Sequence, residues 1–236
     1  MQKNRRWQRR ERPRGISSYN LDQWTSFRAI LEAMGAMDAA ELQRLRETAR
    51  PYLRFREELD LFHKRHVDGH CTTACFEKGI SACCGFESIF TFFGDQVITV
   101  LFSDEEDMDS LLSPLTMPNT TGKCVYAGPA GCLWKVRPIS CAMFFCDDVK
   151  KNILQNTEGI EGEWKEMQKR EKEFTWPDRQ VLFDDLEKCF MACNVDSPFM
   201  YFHKSPGLLR IKKQGRRNHG GKEAFPEEAI STSTAK

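Results

Sequence analysis

Residues 70–84 read His70-Cys71-Thr72-Thr73-Ala74-Cys75-Phe76-Glu77-Lys78-Gly79-Ile80-Ser81-Ala82-Cys83-Cys84, and the cysteine pattern that starts here decides how the chain is read. Four thiols fall in this stretch. Cys124, Cys132, Cys141 and Cys146 follow, so eight of the ten cysteines crowd the middle third, and Cys189 and Cys193 stand apart near the end. In a secreted domain such a set suggests disulfides. In a reducing compartment it suggests metal binding. Thiolates are soft, strong ligands for zinc and for the iron of iron–sulfur clusters, and a closed site of either kind takes four of them.

The compartment follows from what the sequence lacks. Arg5-Arg6 resembles the start of a twin-arginine signal, but Trp7-Gln8-Arg9-Arg10-Glu11-Arg12 follows instead of an apolar stretch. No run is long and apolar enough to span a bilayer. A cytoplasmic protein without a membrane partner is therefore expected. The net charge of +1 gives no global attraction to nucleic acid, although residues 1–16 form a basic arm, expected to be disordered and solubilising.

The 236 residues, 40% of them hydrophobic, suffice for a core that does not depend on metal alone. The pattern predicts one domain over 17–212. Its first part, 17–69, is helical. Residues 21–34 carry Leu21, Trp24, Phe27, Ile30 and Leu31 at helical spacing. Asp38 is placed to cap a long second segment with the stripe Leu42, Leu45, Ala49, Tyr52, Phe55, Leu59 and Phe62. Pro51 either kinks that helix or starts another, and Gly69 is the expected end. Residues 70–146 are loop-rich. Within them Gln96–Phe102 reads as a short strand. Ser103 reads as the cap of a helix to Leu112, with the acidic run 104–107 at its positive end. Helices resume over 147–156, 161–174 and 178–194, the last opened by Asp178. A β-hairpin is expected over 200–212 and a disordered tail over 213–236. The fold class is α+β, mainly helical, with the cysteine-rich centre packed between helices.

The candidate metal ligands are Cys71, Cys75, Cys83, Cys84, Cys124, Cys132 and Cys141. Cys146, His70, Cys189 and Cys193 are additional candidates. His63, His66 and His70 lie roughly on one side of a helix, where core or surface roles compete with ligation. Cys189 and Cys193 share a helix face with Leu182 and Leu186, which accounts for them as packed thiols. Arg137-Pro138 precedes Cys141. The proline presents the thiol from a rigid turn, and the arginine is placed to offset a site whose charge is about −2 for one zinc and four thiolates. The chain has no C-x2-C pair, which argues against zinc knuckles and thioredoxin-like redox chemistry and tilts the choice slightly to iron–sulfur. Lys78 interrupts the C-x3-C-x2-C run of radical S-adenosylmethionine chemistry.

Cys71…Cys75…Cys83-Cys84, Gly122-Lys-Cys124-Val-Tyr126, Gly131-Cys132-Leu-Trp134 and Arg137-Pro-Ile-Ser-Cys141 occur in an order that resembles the YkgJ-type cysteine cluster family. That family carries C-x2-C-x2-C-C, then G-x-C-x-[FY], G-x-C and R-P-x-x-C. Here the first step is spaced x3 and x7, which leaves a longer loop over 76–82. The resemblance covers about 70–146 and implies zinc or iron chelation. One branch resembles flagellin lysine N-methylases, so a cluster-dependent protein-modifying enzyme is one alternative, although no S-adenosylmethionine loop is recognisable. An interaction module whose basic arm contacts nucleic acid is another. Catalytic residues and protein partner are not assigned by the sequence.

Overall fold

Asp38 and Glu41 begin the longest element of the fold. The Asp38 carboxylate accepts from the Glu41 amide at 2.8 Å, and Glu41 accepts from the Asp38 amide at 2.7 Å, a reciprocal cap that satisfies two donors at the helix start. The computed structural model describes Trp7 and residues 11–85, 89–176 and 178–201. Helix α1 spans Ser18–Ala36 and α2 spans Ala39–His66, continuing through Pro51 as one helix. The expected stripe of α2, from Leu42 to Phe62, is buried, together with Trp24, Phe27, Ile30 and Leu31 of α1.

Helical structure runs past the expected stop. Gly69 lies inside a short α3, Asp68–Cys71, and a π-turn follows over Thr72–Phe76. Cys71 and Cys75 therefore sit about one turn apart on a nearly continuous helical run.

The expected strand over Gln96–Phe102 is instead the second half of helix α4, Phe93–Phe102, whose residues from Phe93 to Leu101 are all buried. Apolar periodicity in so short a run does not separate a strand from a helix buried on all sides. β-Branched residues such as Val97 and Ile98 are tolerated when packing outweighs propensity. A Cβ on Gly94 would come within 2.6 Å of the Phe183 ring, so glycine lets α4 meet its neighbour closely. Gly94→Ala is expected to lower stability by about 1–3 kcal/mol, measured as a reduced urea midpoint at unchanged m-value.

Helix α5, Glu105–Leu112, is capped by Asp104 in a box with Asp107, one residue later than the expected Ser103, which instead ends α4. A 3-10 turn over Ser113–Thr116 follows. Strands β1, Ala127–Gly128, and β2, Gly131–Cys132, pair antiparallel with Ala127 opposite Cys132. Beyond them come α6, Ile139–Ala142, then α7, Asp147–Val149, with a π-turn over Lys150–Leu154. Helix α8 spans Ile160–Thr175, and α9 spans Leu182–Ala192. Helix α9 starts four residues after Asp178, where the Asp184 carboxylate accepts from the Val181 amide at 3.0 Å.

Helices α1, α2 and α9 pack around α4, and α8 packs along α2. The fold is thus mainly helical with one small antiparallel sheet among the described residues. No described helix is long and apolar enough to cross a membrane. The hairpin expected over 200–212 lies outside the described residues beyond Tyr201, as does the tail 213–236. Within the basic arm, Trp7 departs from the free-arm expectation. It is buried against Trp24, with ring centroids 5.5 Å apart, and its indole N–H donates to Asp109.

Candidate metal centre

Backbone hydrogen bonds connect the segments of Cys75, Cys83–Cys84, Cys124 and Cys132, and side-chain bonds set the turn that carries Cys141. The α3 and π-turn run presents Cys71 and Cys75. The loop after it turns back, with Ser81 at φ 39°, so that the Ile80 amide reaches the Cys75 carbonyl at 3.0 Å and the Ala82 amide reaches the Cys75 sulfur at 3.4 Å. A turn from Ser81 to Cys84, closed at 2.9 Å, leaves the Cys83 and Cys84 sulfurs 4.0 Å apart. That is twice the length of a disulfide bond, about 2.05 Å, and all ten cysteines are free thiols.

The Cys124 amide then donates to the Cys84 carbonyl at 2.8 Å, and Gly85 bridges Lys123, so Cys84 and Cys124 lie side by side. The hairpin of β1 and β2 carries Cys132 back to Cys124. Both cysteines begin similar turns. The Cys124 sulfur accepts from the amide two residues on, Tyr126, at 3.4 Å, and the Cys132 sulfur accepts from the Trp134 amide in the same relation. Amide donors aimed at sulfur favour its charged form.

Cys141 is placed by a buried polar hub on the floor of the site. Arg56 of α2 donates to the Arg137 carbonyl at 2.6 Å and to the Tyr52 hydroxyl at 3.0 Å. Asp95 of α4 accepts from the Ile139 amide at 3.0 Å, the Phe92 amide at 3.1 Å and the Tyr52 hydroxyl at 3.4 Å. Asp95 and Arg56 are 1% and 3% exposed, so these bonds are made in the interior. Between them they grip both sides of Pro138 and set the turn that opens α6. Burial lifts the Asp95 carboxyl to about 6 against its hydrogen bonds and the Arg56 charge. These positioning residues were absent from the sequence reading. The signal for them was a charge standing inside an apolar pattern, Arg56 beside Phe55 and Asp95 between Phe93 and Val97.

The thiols influence one another electrically. Cys71 is pushed up to about 11, first by burial and then by the neighbouring thiols Cys146, Cys83 and Cys75. Cys124 is pushed to about 12 and Cys141 to about 11, first by burial and then by neighbouring thiols. Cys132 is exposed as a residue, yet its sulfur sits deep enough for burial to raise it. Cys83 and Cys84 share one hydrogen bond, which raises Cys83 and lowers Cys84. The positive charge of Arg137 acts on Cys83, Cys132 and Cys141, and that of Arg56 on Cys132. As bare thiols most of the set stays protonated at neutral pH, so binding a soft cation would release protons.

Other candidates fall elsewhere. His70 contacts the Asp148 carboxylate. Cys189 and Cys193 act on each other and face Glu41 and Arg44 at the start of α2. Arg137 pairs with Asp60 at 3.5 Å. Among the described residues no three Cys, His, Asp or Glu side chains stand close enough together to hold an ion. The thiols suit a soft metal in chemistry and number, and their arrangement among the described residues does not close on one.

His63 lies under the site, 6% exposed, with its ring 5.1 Å from that of Phe145. Burial and the Arg137 charge lower it from 6.5 to about 4, against a hydrogen bond to the Ala142 backbone. Below pH 6.5 the unfolded chain takes up this proton and the folded chain does not, so stability falls with pH until about 4. Asp95 acts oppositely, because its raised pKa favours the folded state as pH falls from about 6. The His63 contribution is isolated by difference. From pH 7 to 5 the wild type should lose about 2 kcal/mol more than His63→Phe, read from urea unfolding of both proteins.

No family model, curated protein or solved structure matches this chain.

Proposed function

We propose that this chain is a thiolate metal-binding protein in which Cys71, Cys75, Cys83, Cys84, Cys124, Cys132, Cys141 and Cys146 hold an iron–sulfur cluster or zinc. One observation carries the proposal. Segments from α3 to α7 bring their thiols into mutual electrostatic reach, while Cys189 and Cys193 of the same chain pack elsewhere. Gathering so many desolvated thiols serves no packing purpose that smaller or more apolar side chains would not serve better. The amide donors to Cys75, Cys124 and Cys132 support the same reading, since hydrogen bonds to sulfur accompany and tune thiolate metal sites. The resemblance to the YkgJ-type family points the same way, and a reducing compartment belongs to the proposal.

Bound there, zinc would supply a structural cross-link and an iron–sulfur cluster an electron-transfer centre. The chain's own part is to hold the thiolates in place. The Arg56–Asp95 hub fixes the Cys141 turn, the hairpin sets Cys132 opposite Ala127, three residues after Cys124, and Arg137 offsets negative charge.

The test is the metal and acid-labile sulfide content of protein purified without oxygen. Brown protein with iron and sulfide, or colourless protein with stoichiometric zinc, is the expected result. Protein free of both metals, and unable to take up either when reduced, would overturn the proposal.

A further inference from the structure

We propose that Cys83 and Cys84 form a redox-sensitive vicinal pair, which a hydroperoxide closes to a disulfide and a monothiol such as glutathione reopens. The proposal goes beyond the metal reading and does not depend on it, because the chemistry needs only these two sulfurs.

The turn from Ser81 to Cys84 supplies the geometry. Side chains of adjacent residues in an extended strand point to opposite faces. Here Ser81 takes a left-handed conformation, φ 39°, and the Cys84 amide donates to the Ser81 carbonyl at 2.9 Å. The two thiols are thereby turned towards each other, with their sulfurs 4.0 Å apart and in hydrogen-bond contact. Rotation about the two Cα–Cβ bonds is the movement that brings them to the length of a disulfide, about 2.05 Å. An oxidant also has access. Residues 76–80, Ala82 and Cys83 are exposed, and Cys84 is half-buried. An accessible thiol with a second thiol poised to resolve it is the arrangement found in redox-sensing cysteines.

The reaction runs in two displacements. One sulfur, as its thiolate, attacks a peroxide oxygen. An S–O bond forms, the O–O bond breaks, and the leaving oxygen takes up a proton. The second sulfur then attacks the resulting sulfenic acid. The S–S bond forms, the S–O bond breaks, and the departing hydroxide leaves as water with the second thiol's proton. With hydrogen peroxide, two thiols are oxidised to one disulfide and one peroxide is reduced to two waters.

The product is built to reopen. Consecutive Cα atoms lie about 3.8 Å apart across a trans peptide, closer than the roughly 4.4 Å at the short end for disulfides. A ring closed over one peptide bond is therefore strained, and strained, exposed disulfides are the ones readily reduced by thiols. The amide inside that ring is the one that closes the Ser81–Cys84 turn. The Cys84 carbonyl is held by the Cys124 amide at 2.8 Å, so the strain of closure falls on the exposed loop that precedes Cys83. Where the pair holds metal, closure withdraws two ligands at once.

The test uses the full-length chain, reduced, freed of metal and treated under argon with one hydrogen peroxide per chain, then alkylated and digested with trypsin. Residues 79–123 lie between Lys78 and Lys123 and contain Cys83 and Cys84 as their only cysteines. This peptide is expected unlinked to any other, two hydrogens lighter and without alkylation, and it should be alkylated at both cysteines again after incubation with reduced glutathione. Residues 189–204, which carry Cys189 and Cys193, should stay fully alkylated throughout. The same chain unfolded in urea should lose this preference for 79–123. Full alkylation of Cys83 and Cys84 after the peroxide is consumed would overturn the proposal, as would their linkage to another peptide or a disulfide that glutathione leaves closed. An undiminished preference in urea would show that the turn does not set the pair, and would overturn it too.

Discussion

Asp95→Ala is expected to lower stability by about 3–5 kcal/mol, the largest effect of any single substitution considered for this fold. The Asp95 carboxylate accepts the Phe92 and Ile139 amides and the Tyr52 hydroxyl. Its removal leaves those buried donors without their acceptor, and it leaves the Arg56 guanidinium with the Asp60 charge in place of two carboxylates acting on it. The loss exceeds the net worth of the hydrogen bonds, because the buried donors are left unsatisfied. Urea unfolding measures it. Because Ile139 opens the turn that presents Cys141, the variant should also bind metal more weakly than its loss of stability accounts for. A cost below 1 kcal/mol would show that α2 and α4 do not clamp this turn.

Cys141→Ser is expected to lose at least half of the bound metal, whereas Cys189→Ala/Cys193→Ala is expected to keep all of it. A hydroxyl is a poor substitute for a soft thiolate. Cys141 sits on the clamped turn beside Cys132 and Cys84. The α9 pair faces Glu41 and Arg44, and its removal should cost only packing energy, on the order of 1–2 kcal/mol. Metal per chain in the two purified variants decides between them. The opposite outcome, metal lost from the α9 variant and kept by Cys141→Ser, would move the site to the junction of α2 and α9.

The parts of the fold legible in the sequence are those where one face is apolar and one polar. The stripe from Leu42 to Phe62 and the Asp38–Glu41 cap define α2 directly, because period and cap are both local signals. Gln96–Phe102 reads as a strand because the run is short, apolar and rich in β-branched residues, and helix α4 buries it on all sides. The helical run through Gly69 was cut short at a residue that is unfavourable in isolated helices but tolerated at this junction. In the site, the sequence pattern named the thiols, since their chemistry is written in residue type and spacing. It does not show how their segments meet, because that depends on contacts such as His70 with Asp148 and Cys84 with Cys124. Nor did it reveal Arg56 and Asp95, whose partners lie 81 and 44 residues away along the chain.

The most direct test of thiolate metal binding is X-ray absorption at the metal edge of full-length protein purified without oxygen. The expected first shell is sulfur only, about four atoms per metal at about 2.3 Å. In Cys141→Ser its sulfur signal per chain should fall with the metal content. A first shell of nitrogen or oxygen at about 2.0–2.1 Å, unchanged by substitution of these cysteines, would contradict the account.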